Sequence, residues 1–204
     1  VAHGMGLDRR IGTAYLDAWP GWGGSCLPKD TSALMAVAED YGDSLLLVAA
    51  AREVNRRQRQ RVVEKLQDAL KVLRGCTLGV LGLAFKEGTD DLRDSPALEI
   101  IELLLARGAH LRLHDPAALA NARLLFEDAD VDFYDDPYAM AEGADGLVVV
   151  TEWALYRALD LGRLARTMRR PVMVDTRNLY DPRAAQAAGL RYTSVGRTAH
   201  GNQQ

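Results

Sequence analysis

The chain has 204 residues, of which 48% are hydrophobic and 26% are charged, and its formal net charge is −3. This is the composition of an ordinary globular protein of one or two domains, without the run of ~18 apolar residues that would span a membrane. The small negative charge argues against a general nucleic-acid-binding surface. The two cysteines form no CxxC pair or disulfide framework and the first residues do not resemble a signal peptide, so we expect a cytoplasmic protein without a metal site.

The first part of the chain, Val1–Lys29, is rich in glycine and predicts the end of a helix followed by an ordered loop. It leads into the stretch GWGGSCLPKDT, residues 21–31, in which Cys26 follows two glycines and precedes a lysine and an aspartate. Glycine permits a close backbone approach, and nearby charges suit a reactive sulfur better than a core residue. The alternative is an ordinary turn before a helix, with Asp30 or Thr31 as its N-cap.

Two helices are predicted between Ser32 and Arg74, where apolar residues recur near the 3.6-residue period. Residues 41–44 separate them, and we expect Ser44 to cap the second helix and Gly75 to end it. The second helix, Ser44–Arg74, would be about 45 Å long at 1.5 Å per residue. A helix of that length outreaches a small core, so we expect it to join two domains or to pack against a partner chain.

Strands and helices then alternate from Thr77 to Val195, which predicts a doubly wound parallel sheet and therefore an α/β protein. The predicted elements are strand Thr77–Gly82, helix Ser95–Gly108, strand His110–Asp115, helix Ala117–Phe126, strand Val131–Tyr134, a short helix from Pro137, strand Gly146–Thr151, helix Leu161–Arg170, strand Pro171–Asp175, a helix from Pro182 and strand Leu190–Val195. We divide the chain into a helical segment (1–74), an α/β domain (75–198) and a disordered tail (199–204).

Open parallel sheets bind ligands at the carboxyl ends of their strands. The first of these ends reads GLAFKE from Gly82, which lacks the later glycines of a G-x-G-x-x-G dinucleotide-binding turn. Phe85 and Lys86 occupy the positions near those glycines. Together with Arg93, Lys86 predicts a site that binds phosphate through charged side chains. Pairing of the two cations with the acidic residues around them is the alternative. Arg177, just beyond a later strand, is a second candidate for binding an anion, with a structural salt bridge as its alternative.

The motifs GWGGSCLPKDT, GLAFKEGTDDLRDSPALEI, TEW and DTRNLYDP together resemble the UDP-glucose 6-dehydrogenase family, over residues 6–197. This family belongs to the nucleotide-sugar dehydrogenases, which include GDP-mannose and UDP-aminosugar enzymes. TEW and DTRNLYDP favour the UDP-glucose branch. Members have an N-terminal NAD-binding domain, a helical centre and a C-terminal domain for the sugar nucleotide. The resemblance implies that this chain is part of the centre followed by a Rossmann-like UDP-binding domain, without the NAD-binding domain.

The resemblance also implies the chemistry, which is oxidation of a sugar CH2OH to a carboxylate by two NAD+ through a cysteine-bound thiohemiacetal and thioester. Cys26 matches the nucleophile, and Asp30 matches the aspartate that orders or deprotonates water. Lys29 and Arg93 resemble residues that contact the phosphates of NAD. Cys76 has no such setting, and we assign it to packing. Because the NAD-binding domain is missing, we expect this chain alone to be inactive.

A substrate site for UDP-glucose is implied as well. Its residues would be Arg10 (supplied to a neighbouring subunit), Tyr15, Leu16, Trp22, Gly23, Phe85, Lys86 and Arg177. Trp22 and Trp19 depart from the residues usual in the family, which leaves the sugar preference open. The long helix resembles the dimer-forming core of the family and predicts a homodimer, and Asn55 on it matches a polar position without an assigned role. The alternatives are a GDP-mannose or UDP-aminosugar dehydrogenase, or a non-catalytic UDP-sugar-binding or dimerisation module.

Overall fold

A computed structural model describes residues 1–197, and in them six parallel strands form one sheet with the order β3-β2-β1-β4-β5-β6. The strands are β1 Thr77–Leu81, β2 His110–His114, β3 Val131–Phe133, β4 Gly146–Val149, β5 Val172–Asp175 and β6 Arg191–Ser194. The strand order reverses between β1 and β4, which is the switch point where sheets of this kind bind ligands. The predicted doubly wound parallel α/β sheet is confirmed.

Helices cover both faces of the sheet, which is why its central strands are continuous apolar runs. The helices are α1 Ala2–Gly6, α2 Leu27–Asp40, α3 Leu46–Leu70, α4 Pro96–Leu105, α5 Leu119–Leu125, α6 Pro137–Ala141, α7 Ala154–Arg157, α8 Leu161–Thr167 and α9 Pro182–Ala187. Ser95 caps α4 as predicted, since its hydroxyl accepts a hydrogen bond from the Ala97 N–H at 3.2 Å. The short helix α7 was not predicted. No helix of the described residues is long and apolar enough to cross a membrane.

Helix α2 begins earlier than the sequence suggested. Its N-cap is Cys26, and the N–H of Asp30 donates to the Cys26 carbonyl at 2.8 Å. The prediction that Asp30 or Thr31 is the N-cap is therefore wrong. The reason is Pro28, which sits in the first turn, where the N–H that proline lacks needs no partner.

Helix α3 is shorter than predicted, with 25 residues or about 37 Å. Its N-cap is Leu45 rather than Ser44, and the Leu45 N–H is held by the Asp43 carboxylate at 2.9 Å. It ends at Leu70, and its C-cap is Lys71, whose φ of 72° leaves the helical region, so Gly75 is not its C-cap. Gly75 instead has a φ of 73° in the turn before β1, a conformation that glycine adopts without strain.

The second half of α3 belongs to the core of the sheet. Its residues Val62, Val63 and Leu66 are fully buried in the same cluster as the central strands. The first half of α3 extends beyond the sheet and meets α2, which has no buried residue. The boundary between residues 74 and 75 stays a prediction. The predicted disordered tail, residues 199–204, lies outside the described residues.

Candidate active site

Two loops meet at the carboxyl edge of the sheet beside the switch point. The cysteine loop, residues 20–26, runs into α2, and the β1–α4 loop, residues 82–95, connects β1 to α4. The first carries the sequence GWGGSC and the second carries AFKEGTDDLRDS. The structure therefore brings together two of the four motifs on which the family resemblance was based.

The cysteine loop touches the β1–α4 loop through bare backbone at two glycines. A Cβ placed on Gly23 would lie 2.2 Å from the carbonyl oxygen of Asp94, and one on Gly24 would lie 2.7 Å from the Phe85 ring. The Gly24 N–H donates to the same Asp94 carbonyl at 3.3 Å, and Gly24 has a φ of +85°. No larger residue fits either position without moving the partner loop.

Helix α3 holds the cysteine loop from the other side. The Asn55 side chain accepts a hydrogen bond from the Trp22 N–H at 2.8 Å and donates to the Trp22 carbonyl at 3.0 Å. One turn further along, Arg59 donates to that carbonyl at 2.7 Å and to the Asn55 carbonyl at 3.0 Å. A Cβ on Gly21 would meet the Asn55 amide oxygen at 2.5 Å. These contacts give Asn55 a positioning role that its sequence match did not reveal.

Arg59 was missed by the sequence reasoning. It is 6% exposed, and its ion pair with Glu99 spans 3.5 Å. Burial lowers the pKa of Arg59, and the charge of Glu99 opposes that shift. An arginine one turn before the apolar stripe that starts at Val62 was the available signal, because a cation on a core-facing helix surface needs a buried partner.

Cys26 is exposed at the first turn of α2, with Lys29 and Asp30 at the i+3 and i+4 positions of the same helix face. The Lys29 ammonium lies 3.0 Å from the Asp30 carboxylate, and both side chains are mostly exposed. The hydrogen bond to Asp30 raises the pKa of Lys29, and the charge of a Cys26 thiolate adds to that rise. The sulfur therefore lies at a helix N-terminus, on the same helix face as a cation and a carboxylate.

Arg93 brings a second cation to Cys26 from the β1–α4 loop. Its guanidinium forms an ion pair with Asp91 at 2.7 Å, and the Arg93 side chain is 73% exposed. The hydrogen bond to Asp91 is the main cause of its raised pKa, and the Cys26 charge contributes to the same rise. For Arg93, the sequence alternative of pairing with a neighbouring acidic residue is what the structure shows.

Lys86 differs from Arg93 in having no ion-pair partner among residues 1–197. Its ammonium lies 5.4 Å from the centroid of the Phe85 ring, and the residue is exposed on the β1–α4 loop. Phe85 in turn contacts Gly24, so Lys86 is joined to the cysteine loop through one aromatic ring. This leaves the Lys86 ammonium available to an external anion.

Arg177 lies in a separate cleft of about 440 Å³ at the ends of β4, β5 and β6. The residues lining it are Ala2, Leu16, Asp17, Ala18, Trp19, Glu152, Arg157, Arg177, Asn178, Val195, Gly196 and Arg197. The Arg177 side chain is 5% exposed and forms an ion pair with Glu152. Burial lowers the pKa of Arg177 and Glu152 opposes the shift. The salt bridge considered as an alternative for Arg177 is thus present, and Trp19 lies over its guanidinium.

The predicted site residues thus form two groups and two outliers. The first group lies on the two docked loops and the first turn of α2, and consists of Trp22, Gly23, Cys26, Lys29, Asp30, Phe85, Lys86 and Arg93. In the second group, Leu16 lines the cleft with Arg177. Tyr15 is 96% exposed with a φ of 64°, and Arg10 is exposed and paired with Asp8 at 2.8 Å. Within one copy of the chain, neither outlier lines the cleft.

The carboxylate at the end of β2 is committed to internal hydrogen bonds. A dinucleotide-binding sheet places an acidic residue near this point to hold a ribose, and Asp115 occupies the position here. Its two oxygens accept five hydrogen bonds of 2.7–3.1 Å, from the N–H groups of Leu83, Ala84, Ala117 and Ala118 and from the Trp153 indole. Asp115 therefore shapes the β1–α4 loop and has no capacity left for a ribose hydroxyl.

The sequence profiles of one protein family match both parts of the chain. The UDP binding domain of the UDP-glucose/GDP-mannose dehydrogenase family matches residues 79–182, and the central domain of that family matches residues 1–57. The chain belongs to this family. The resemblance and the Rossmann-like fold predicted from the motifs are therefore confirmed.

Named members of the UDP-glucose/GDP-mannose dehydrogenase family align with almost the whole chain. It is 42% identical over 199 residues to the UDP-glucose 6-dehydrogenase TuaD of Bacillus subtilis, and 45% identical over 198 residues to the UDP-glucose 6-dehydrogenase of Rhizobium meliloti. These alignments cover 98% and 97% of this chain but 43% and 45% of those proteins. A UDP-glucose dehydrogenase structure from Pyrobaculum islandicum matches with a TM-score of 0.82 and 39% identity, over 94% of this chain and 41% of that chain. The chain thus spans less than half the length of these relatives.

The surroundings of the two cysteines predict that they react with thiol reagents at very different rates. Cys76 is 4% exposed, its thiol donates to the Val72 carbonyl at 3.0 Å, and burial raises its pKa. Iodoacetamide at pH 7 followed by peptide mass spectrometry should label Cys26 at least tenfold faster. The difference in exposure between the two cysteines is enough to predict this tenfold difference in rate. A test of the neighbouring cations is therefore needed, and we expect Lys29→Gln and Arg93→Gln each to slow labelling of Cys26 several-fold.

A charge-matched control for these variants is Arg61→Gln, which removes an exposed cation from α3. It should leave the labelling rate of Cys26 unchanged. Equal rates in all three variants would mean that the two neighbouring cations do not activate the sulfur.

Proposed function

We propose that this chain is the nucleophile-bearing and sugar-nucleotide-binding part of an NAD-dependent UDP-glucose 6-dehydrogenase, which oxidises UDP-glucose to UDP-glucuronate with two NAD+. One observation supports this most. The exposed sulfur of Cys26 lies beside two cations and a carboxylate, on a loop docked against the loop that presents Lys86. The names of the relatives support UDP-glucose as the substrate.

Cys26 acts as the nucleophile of the second oxidation in this proposal. Its thiolate attacks the carbon of the sugar aldehyde and forms a C–S bond, which gives a thiohemiacetal. Loss of a hydride from that carbon produces a thioester, and hydrolysis of the thioester releases the carboxylate and the free thiol. In this proposal the N-terminus of α2 and the charges of Lys29 and Arg93 interact favourably with the negative charge of the attacking sulfur.

In this proposal Asp30 acts on the hydrolytic water. It lies one helical turn after Cys26 on the same face, with an exposed carboxylate within hydrogen-bond reach of solvent near the sulfur. The ion pair with Lys29 at 3.0 Å orients that carboxylate. Asp30 would take a proton from the water as its oxygen attacks the thioester carbon.

NAD fits this chain only in part. Lys29 and Arg93 are more than two-thirds exposed and are suited to contact the phosphates of the cofactor. The turn after β1 has side chains where a dinucleotide would need glycines, and Asp115 is fully hydrogen-bonded. We assign the main cofactor site to the part of the longer relatives that this chain does not cover. The chemistry that NAD+ would supply when bound is acceptance of the hydride in each oxidation.

Isothermal titration calorimetry of this chain with UDP and with GDP tests the proposed ligand. UDP should bind at least tenfold more tightly than GDP, and Lys86→Gln should weaken UDP binding about tenfold because the unpaired ammonium is lost. Arg61→Gln again serves as the charge-matched control. Equal affinity for the two nucleotides would favour a GDP-sugar enzyme or a less selective one, and an unchanged affinity in Lys86→Gln would remove this residue from the site.

We also propose that two copies of the chain associate through α2 and the first half of α3. Leu34 and Val37 on α2 are each 53% exposed, and Leu46 and Leu47 on α3 are 75% and 88% exposed. Apolar residues exposed along two adjacent helices indicate a surface that is covered in the assembled protein. The match to the central domain of the family includes α2 and this half of α3.

Sedimentation equilibrium tests this association. The chain should sediment as a dimer at micromolar concentration, and the double variant Leu34→Glu, Val37→Glu should sediment as a monomer because it charges the proposed interface. Leu124→Glu, a change at a residue 79% exposed on α5, is the matched control and should leave the dimer intact. A chain that stays monomeric at all concentrations contradicts the proposal.

A further inference from the structure

Arg177 is enclosed in a way that does not suit an arginine waiting for an anion. A guanidinium binds phosphate through its N–H edges, and these must be reachable. Here Glu152 is paired with the Nε atom, the Trp19 ring lies 4.1 Å from the guanidinium carbon, and the side chain is 5% exposed. An incoming anion therefore meets the indole and the carboxylate before it meets the cation.

The backbone that carries Trp19 is fixed, whereas its side chain is not buried. The Asn178 amide donates to the Ala18 carbonyl at 3.2 Å, and a Cβ on Gly196 would lie 2.4 Å from the Ala18 side chain. Pro20, on the other side, is buried. Trp19 itself is 40% exposed. Rotation of the indole about its own side-chain bonds would uncover Arg177 without any movement of the loop.

The charges that line the cleft favour an anion once Arg177 is uncovered. Arg157 and Arg197 line the same cleft, so three arginines face Asp17 and Glu152. The volume of about 440 Å³ is that of a small-molecule site. A diphosphate carries enough charge to displace Glu152 as the partner of Arg177, since phosphate binds a guanidinium through the same bidentate geometry as a carboxylate.

We propose that Trp19 is an affinity-determining cap, whose indole shields Arg177 in the free protein and swings away when the diphosphate of a nucleotide binds. The choice of a nucleotide diphosphate as ligand rests on the proposed function. The stacking between indole and guanidinium must be broken for the ligand to bind, and contacts of this kind correspond to roughly 3- to 30-fold in an equilibrium constant. Trp19 therefore weakens nucleotide binding, although it lines the binding cleft.

Calorimetry with UDP tests the cap. Trp19→Ala should bind UDP about 3- to 10-fold more tightly than the natural chain, and Trp19→Phe, which keeps an aromatic face, should lie between the two. Leu124→Ala, which removes an exposed apolar side chain from α5 outside the cleft, should bind UDP as the natural chain does. If Trp19→Ala binds UDP equally or more weakly, Trp19 is a structural or stacking residue and the cap does not exist.

A second measurement needs no nucleotide. Phenylglyoxal modifies accessible arginines, and peptide mass spectrometry reports each site separately. Arg177 should react several-fold faster in Trp19→Ala than in the natural chain, while Arg10, whose side chain is 86% exposed, reacts equally in both and serves as the internal standard. Equal rates at Arg177 would overturn the cap. Faster labelling together with no UDP binding by any variant would keep the cap and overturn the proposed function.

Discussion

The candidate site depends on the close contact between the backbone at Gly23–Gly24 and the β1–α4 loop. Side chains cannot enter this contact, because even a Cβ would overlap the Asp94 carbonyl or the Phe85 ring. Cys26 follows the contact by two residues and begins α2, and Lys86 follows Phe85 directly. The positions of Cys26 and Lys86 are thus set by one interface, in which the glycine backbone packs against the Asp94 carbonyl and the Phe85 ring, and both would shift if that interface opened.

Helix α3 makes this interface rigid. Its second half is buried against the sheet through Val62, Val63 and Leu66, and its first half holds Trp22 through Asn55 and Arg59. A single helix therefore fixes the position of the cysteine loop relative to the core that contains β1. The Asn55 amide and one terminal nitrogen of Arg59 are hydrogen-bonded to the loop backbone, and the Arg59 Nε atom lies 3.5 Å from the Glu99 carboxylate. On the sheet side, Asp115 fixes the β1–α4 loop by accepting hydrogen bonds from the Leu83 and Ala84 N–H groups.

Local patterns predicted the sheet well, because each strand is a short apolar run and several helices begin with a side-chain cap and a proline. They failed at the start of α2, where Pro28 extends the helix to Leu27, and at the ends of α3, where Leu45 and Lys71 adopt positive φ values without glycine.

Long-range partners could not be predicted from local patterns. Asn55 and Arg59 hydrogen-bond to Trp22, which is more than 30 positions away. The ion-pair partner of Arg177 is Glu152, which follows a different strand, and the ring that lies over Arg177 is that of Trp19, near the start of the chain. The motif residues on the two docked loops were found because they are close in sequence to recognisable glycines and strands. Their separation from the Arg177 cleft, and the cover that Trp19 provides there, are properties of the three-dimensional structure alone.

A double-mutant cycle between Gly24 and Phe85 measures the central interface most directly. Urea unfolding of Gly24→Ala, Phe85→Ala and the double variant should show that Gly24→Ala costs at least about 1 kcal/mol less when the ring is absent. The cost that remains comes from the positive φ, and Gly42→Ala reports it alone, since Gly42 has a φ of +80° and no atom near its Cβ position. If the two changes add to within about 0.5 kcal/mol, the loops are not in contact there and the account of the site is wrong.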